Sequence, residues 1–263
     1  MKLFTLTVVL FLAQTAFAQE WARARVDQSP RRHEWITVKY GNRAVDAFVA
    51  YPDSRDKRLV VLVIHTIAGM IDWVESLSDQ LAEAGYIAVA PDLLSGMAPN
   101  GGRSKDFPAD GAREAVGKLN ADQITADLNA VADQALKLPA SSGKLMVVGF
   151  CWGGNESFRF ATNRTDLQAV FVFYGTPPSD QAMARIKAPV YGFYGGNDAR
   201  VTSTVAPTVE KMKAAGKGYE PAAYDGAGHG FMQSGEDPAG PDANKKARTD
   251  SWARWKTLLA KHQ

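Results

Sequence analysis

An α/β fold, with a mostly parallel central sheet and helices on both faces, is what the order of apolar segments in this chain predicts. Three observations carry the prediction. An antiparallel start gives way to strand and helix patterns that alternate to the C-terminus. The first of the later strands, Leu59-Val60-Val61-Leu62-Val63-Ile64, is apolar without a break, the pattern of a strand covered on both faces. No internal repeat or long linker divides the 263 residues.

The segments 34–40 and 43–51 alternate or nearly alternate apolar residues around Gly41-Asn42, which reads as an antiparallel hairpin. The buried strand 59–64 follows. Helix and strand then take turns: helix 73–84 before strand 86–90, helix 121–138 before strand 144–148, and helix 154–162 before strand 169–174. Helix 182–186 precedes strand 190–194, and helix 204–215 precedes strand 219–224. Trp252, Trp255, Leu258 and Leu259 give a closing helix its apolar face. The stretch 95–118, rich in Gly, Pro, Asp and Arg, stands outside this pattern. It reads either as a solvated connection or as a loop over the rim of a site, since loops this long often act as lids.

With 46% hydrophobic and 22% charged residues the composition is ordinary for a globular chain, which excludes a disordered or collagen-like one. The 30 basic residues are scattered among 28 acidic ones, so nothing points to a nucleic-acid or membrane partner. Residues 1–18 look like a signal peptide: Lys2 supplies the positive start, 3–13 is mostly apolar, and Ala16-Phe17-Ala18 is an A-x-A-like cleavage site. The expectation is a periplasmic or secreted protein, cut after Ala18, in which 19–263 forms one domain and acts as a monomer or weak homo-oligomer. Its single cysteine, Cys151, allows no internal disulfide.

That cysteine stands in Gly149-Phe150-Cys151-Trp152-Gly153-Gly154, between a strand pattern and a helix pattern. This is the G-x-S-x-G nucleophile elbow with sulfur in place of oxygen, a tight turn that thrusts its central side chain over the sheet edge. A lone cysteine is more often a small buried hydrophobe, but the elbow and the helix start that favours thiolate make this one a candidate nucleophile. The partners should follow in the order nucleophile, acid, base, each after a later strand. Asp198 follows the strand 190–194 in Gly195-Gly196-Asn197-Asp198, and His229 follows the strand 219–224 in Gly226-Ala227-Gly228-His229-Gly230-Phe231. His229 would move the proton and Asp198 would orient it. The oxyanion would be held by the backbone N–H groups of Trp152 and Ile67. His65 and Thr66, in the loop after 59–64, are candidate pocket residues, His65 reading equally well as a strand-end histidine with its hydrogen bonds satisfied. His33 and His262 read as solvated. The carbonyl chemistry implied is cleavage of a small-molecule ester or lactone. No pair of histidines has metal-ligand spacing and no phosphate-binding G-x-x-x-x-G-K-[ST] loop occurs, so no metal or cofactor is expected.

The chain resembles the dienelactone hydrolase family of α/β-hydrolases over nearly its whole mature length. The resemblance rests on Gly149-Phe-Cys-Trp-Gly-Gly154, Ala84-Gly-Tyr-Ile-Ala-Val-Ala-Pro-Asp-Leu93, Tyr194-Gly-Gly-Asn-Asp198 and Gly226-Ala-Gly-His-Gly-Phe231. It implies an α/β-hydrolase fold, a triad of Cys151, Asp198 and His229, and no metal or organic cofactor. Family members usually carry a glutamate where this sequence has Thr66. By this resemblance, the two arginines that hold a substrate carboxylate in dienelactone-cleaving members match Gly96 and Gln233, which counts against dienelactone itself. Arg103 or Arg113 could substitute, or lie on the surface. The alternatives to an esterase or lactonase are a thioesterase or peptidase on the same triad, or a non-catalytic binding protein that retains the fold.

Overall fold

A computed structural model describes residues 19–262, so the segment 1–18 expected to be a signal peptide lies outside the described residues. After helix α1 (Glu20–Asp27) come the hairpin strands β1 (His33–Tyr40) and β2 (Arg43–Ala50). Tyr40 pairs with Arg43, which leaves a two-residue loop, and Gly41 takes the positive φ (+51°) such a loop requires. The chain continues through β3 (Arg58–Ile64), α2 (Asp72–Glu83), β4 (Ile87–Pro91), α3 (Gly111–Val116), α4 (Ala121–Leu136) and β5 (Ser141–Phe150). Then follow α5 (Trp152–Phe160), β6 (Leu167–Phe173), α6 (Asp180–Met183), β7 (Val190–Gly195), α7 (Ala199–Thr202) and α8 (Val205–Ala214). The last elements are β8 (Tyr219–Tyr224), α9 (Phe231–Ser234) and α10 (Asp242–Lys261).

The eight strands form one sheet in the order β1-β2-β4-β3-β5-β6-β7-β8. β2 runs antiparallel to β1 and β4, and every later pairing is parallel, so the α/β class read from the sequence is the observed one. β3 shows the cause of its unbroken apolar run. Val61 and Val63 face a layer containing Trp73, Leu77 and Leu81 of α2 and Trp255 of α10. Val60, Leu62 and Ile64 face the other layer, with Ile124, Leu128 and Val131 of α4 and Phe158 of α5. Residues 60–64 expose no surface at all, and each such side chain gains about 1.5–3 kcal/mol by leaving water.

α1 escaped the sequence reading because it buries only Ala22 and Val26, too little for a helical stripe. It is held by polar contacts with α2. The Trp73 N–H, in the first turn of α2, donates to Gln19 Oε1 at 3.0 Å. Fully buried Asp79 accepts from Ser29 Oγ (2.6 Å) and from Arg31 Nε and Nη2 (2.8 and 2.7 Å), and bonds His33 Nε2 (2.8 Å). Burial pushes the Asp79 carboxyl up, but Arg31, Ser29 and His33 together hold it below its ordinary value. The expectation that His33 is solvated is thereby corrected, and His262 likewise bonds the Tyr191 hydroxyl at 2.8 Å.

The stretch 95–118 is structured: 3-10 turns at Pro99–Gly101 and Ser104–Asp106 precede α3. Its base is pinned by Asp92, whose carboxylate accepts from Ser104 N–H (2.8 Å), Ser104 Oγ (2.6 Å) and Leu94 N–H (3.0 Å). Arg43 adds bonds to the carbonyls of Leu93 (3.0 Å) and Ser95 while paired with Asp127 of α4 at 3.0 Å. Among the described residues, no helix is long and apolar enough to cross a membrane.

Candidate active site

Cys151 is the single residue between the end of β5 and the start of α5, with φ +59° and ψ −117°. A side chain in that region costs about 1–3 kcal/mol and persists only where the surroundings enforce it. Here the Cys151 N–H donates to the Phe173 carbonyl at 3.1 Å, and its own carbonyl accepts from Gly154 and Asn155 at 2.9 and 3.2 Å. The turn is so close that a Cβ on Gly149 would stand 1.8 Å from the Gly153 carbonyl oxygen. One on Gly153 would stand 2.2 Å from that of His65. Only glycine fits at either position.

The loops after β7 and β8 bring Asp198 and His229 together. They are bonded to each other, Gly196 N–H to the Tyr224 carbonyl at 2.8 Å and Asn197 N–H to that of Ala227 at 2.9 Å. Asp198 is 7% exposed, and its Oδ2 lies 2.5 Å from His229 Nδ1. A carboxylate there keeps the proton on Nδ1 and turns Nε2 toward Cys151. Burial pushes the Cys151 thiol up, but the bond and charge of His229, with the N–H groups of Trp152 and Ile67, outweigh it and bring it below its ordinary value. His229 is raised, first by its bond to Cys151, against burial, and then by Asp198. Both shifts favour a thiolate beside an imidazolium.

The Ile67 and Trp152 amides therefore converge on the same sulfur, although one comes from the loop after β3 and the other from the elbow. His65 joins the two. It is fully buried rather than facing an open pocket, so its reading as a pocket residue is corrected. The Leu93 N–H donates to its Nε2 at 3.3 Å, which places the proton on Nδ1, 2.8 Å from the Thr66 carbonyl. The ring stacks on Trp152, centroids 5.4 Å apart at 19°. Burial holds His65 below its ordinary value against the Asp92 carboxylate, so it is a neutral spacer. Thr66 is 8% exposed, and its Oγ1 accepts the Ala68 N–H at 3.2 Å, closing the turn that carries Ile67.

Neither rim arginine reaches the sulfur. Arg103 lies 3.7 Å over the Trp35 ring, and Arg113 is on the exposed face of α3. Gly96 has φ +78° and Arg43 as its neighbour, and Gln233 sits on α9. Two contributors were missed. Tyr174, at φ +42° after β6, is buried with its ring 5.0 Å from that of His229 in a T-shaped contact. Its place at the end of a parallel strand was the available signal. Asn244 of α10 accepts the Gly228 N–H at 2.9 Å and donates to Ser234 Oγ at 2.7 Å, bracing the His229 loop; no local pattern marks it. Among the described residues, no group of three or more His, Cys, Asp or Glu is arranged to hold a metal ion.

A model of the dienelactone hydrolase family matches residues 45–263. A Salmonella typhimurium protein with the provisional name carboxymethylenebutenolidase is 30% identical over 229 residues, covering 82% of each chain. One of the same provisional name from Escherichia coli is 29% identical over 221 residues, 79% of each chain. Among solved structures, a provisionally named dienelactone hydrolase from Klebsiella pneumoniae superposes with a TM-score of 0.77 at 26% identity. That match covers 88% of this chain and 99% of the other.

Proposed function

From the premise that this chain belongs to the dienelactone hydrolase family and hydrolyses carboxylic esters or lactones, we propose that Cys151 is its nucleophile. The observations that carry this are the strained elbow that presents Cys151 and the bonded Asp198–His229 pair, with His229 and the Ile67 and Trp152 amides lowering the thiol. The thiolate attacks the carbonyl carbon, and the oxyanion is held by the two amides. As the intermediate collapses, the C–O bond breaks and His229 gives its Nε2 proton to the alkoxide, leaving a thioester. Water then attacks with His229 as base, the C–S bond breaks, the acid departs and the thiolate returns. Asp198 holds the imidazole throughout.

The test is the pH dependence of Cys151 alkylation. Thiolate accumulates as pH rises through the lowered thiol pKa, so the midpoint should fall below the ordinary value of about 8.5. Hydrolysis should be bell-shaped: the acid limb reports the thiol, and the alkaline limb reports loss of the imidazolium above its raised pKa. Thr66→Glu removes the turn bond and puts a carboxylate in the loop that carries the Ile67 amide, which should raise the alkylation midpoint by about one unit or more. A shared midpoint near the ordinary value for both proteins would overturn the activated-thiolate reading.

We also propose that the protein is exported and cut after Ala18. Lys2, the apolar stretch and Ala16-Phe17-Ala18 support this. Intact mass and N-terminal sequencing of the periplasmic or secreted protein should show a chain starting at Gln19. A cytoplasmic chain that retains Met1 would refute it.

A further inference from the structure

The strand order divides the site into two sides. β5, which delivers Cys151, has β3 and β4 on one side and β6, β7 and β8 on the other. Asp198 and His229 stand on the second side, in the loops after β7 and β8. A carbonyl whose oxygen lies between the Ile67 and Trp152 amides has two substituents left to place. The departing alkoxy oxygen must lie within hydrogen-bond reach of His229 to receive its proton. The acyl group is therefore directed to the β4 side.

A small apolar cluster occupies that side. Leu94, after β4, and Ala115 and Val116 of α3 are buried, and Phe107 and Ala112 pack against them half-buried. Ile67 and Trp152 join it through their side chains, so the residues that offer amides to the oxyanion also form part of this wall. α3 turns Ala112, Ala115 and Val116 inward and Arg113 and Glu114 outward. Of the nearby cations, Arg103 stacks on Trp35, Arg43 pairs with Asp127 and Arg113 lies on the exposed face of α3. A carboxylate placed against this wall would be stripped of water with no partner in return.

We propose that this cluster is the acyl-binding site and that the substrates are esters of uncharged, apolar acyl groups. The proposal rests on the cysteine-nucleophile reading given above. It is tested with p-nitrophenyl acetate, butyrate and hexanoate, and with p-nitrophenyl hydrogen succinate, whose four-carbon acyl chain ends in a carboxylate. After subtraction of spontaneous hydrolysis, kcat/KM should rise by up to about fourfold per added CH2. The succinate should be at least about tenfold poorer than the butyrate. Phe107→Ala should flatten the chain-length series, and Ala112→Arg should raise the succinate-to-butyrate ratio at least about tenfold. Both variants should keep the wild-type midpoint of Cys151 alkylation, a sign that the thiol and its partners are undisturbed. If either variant fails to fold, the wild-type series decides. Cys151-dependent hydrolysis with a flat or falling series, or with the succinate preferred, overturns the acyl-site assignment alone. No Cys151-dependent hydrolysis of any ester overturns the nucleophile reading and this proposal with it.

Discussion

Replacing Cys151 with alanine should lower kcat by at least about 10⁴-fold while leaving the fold intact. The sulfur is the atom to which His229 and the two amides are directed, so its removal leaves nothing for the base to activate. What remains is binding and the oxyanion amides, which by themselves give only a small residual rate. The fold should survive because alanine keeps the Cβ already accommodated at φ +59°, and because the turn is held by backbone bonds to Phe173, Gly154 and Asn155. Thermal unfolding should shift by no more than a few degrees. Retention of a tenth of the wild-type kcat in a contaminant-free preparation would sink the assignment of Cys151.

Asp198→Asn should lower kcat by about 10²- to 10⁴-fold with little loss of stability. An asparagine amide facing His229 Nδ1 donates a proton where the carboxylate accepts one. The imidazole then carries its hydrogen on Nε2, the wrong tautomer to take a proton from a thiol or water. The loss should be smaller than in serine triads, because a thiol already lowered by His229 and two amides needs less help from a base. Losing the carboxylate also removes a cause of the raised His229 pKa, so the alkaline limb of the pH profile should move to lower pH. Stability should hold, since the Asp198 N–H bond to Gly195 and its carbonyl bonds to Thr202 come from the backbone. A loss below about tenfold with an unmoved alkaline limb would leave Asp198 as an ordinary turn residue.

The boundaries of the fold were legible wherever periodicity was strong. The β1–β2 hairpin, β3, α2 and α4 lie close to where the apolar pattern puts them, whereas α10 begins at Asp242, well before the apolar face read at 252–259. β5 runs three residues further back, to Ser141, and α5 begins at Trp152, two residues earlier than its apolar pattern suggests. The extension of β5 to Phe150 and the early start of α5 have one cause. The elbow turns on Cys151 alone, so strand and helix run up to it from either side. α3, six residues long, and the four-residue α7 and α9 carry too little periodicity to be located from pattern, and α6, expected over 182–186, lies at Asp180–Met183. Of these, α3 matters most for the site because its apolar face packs with the side chains of Ile67 and Trp152.

The sequence by itself determined what depends on neighbouring residues and chain order: the α/β class, the glycine-flanked elbow, and an acid and a base each placed after a later strand. Parallel strands all present their C-terminal ends on one edge, so residues after successive strands meet whatever lies between them. Tertiary structure alone decided the rest. His33 finds Asp79 across 46 residues, and His65 finds the Leu93 N–H across 28. Whether a histidine is solvated, spends both nitrogens bracing two loops, or bonds a carboxylate beside a thiol depends on what folding brings to each ring nitrogen. The same holds for Arg103, Tyr174, Asn244 and the wall around Ala112. Their roles come from partners distant in the chain, and no local spacing encodes such partners.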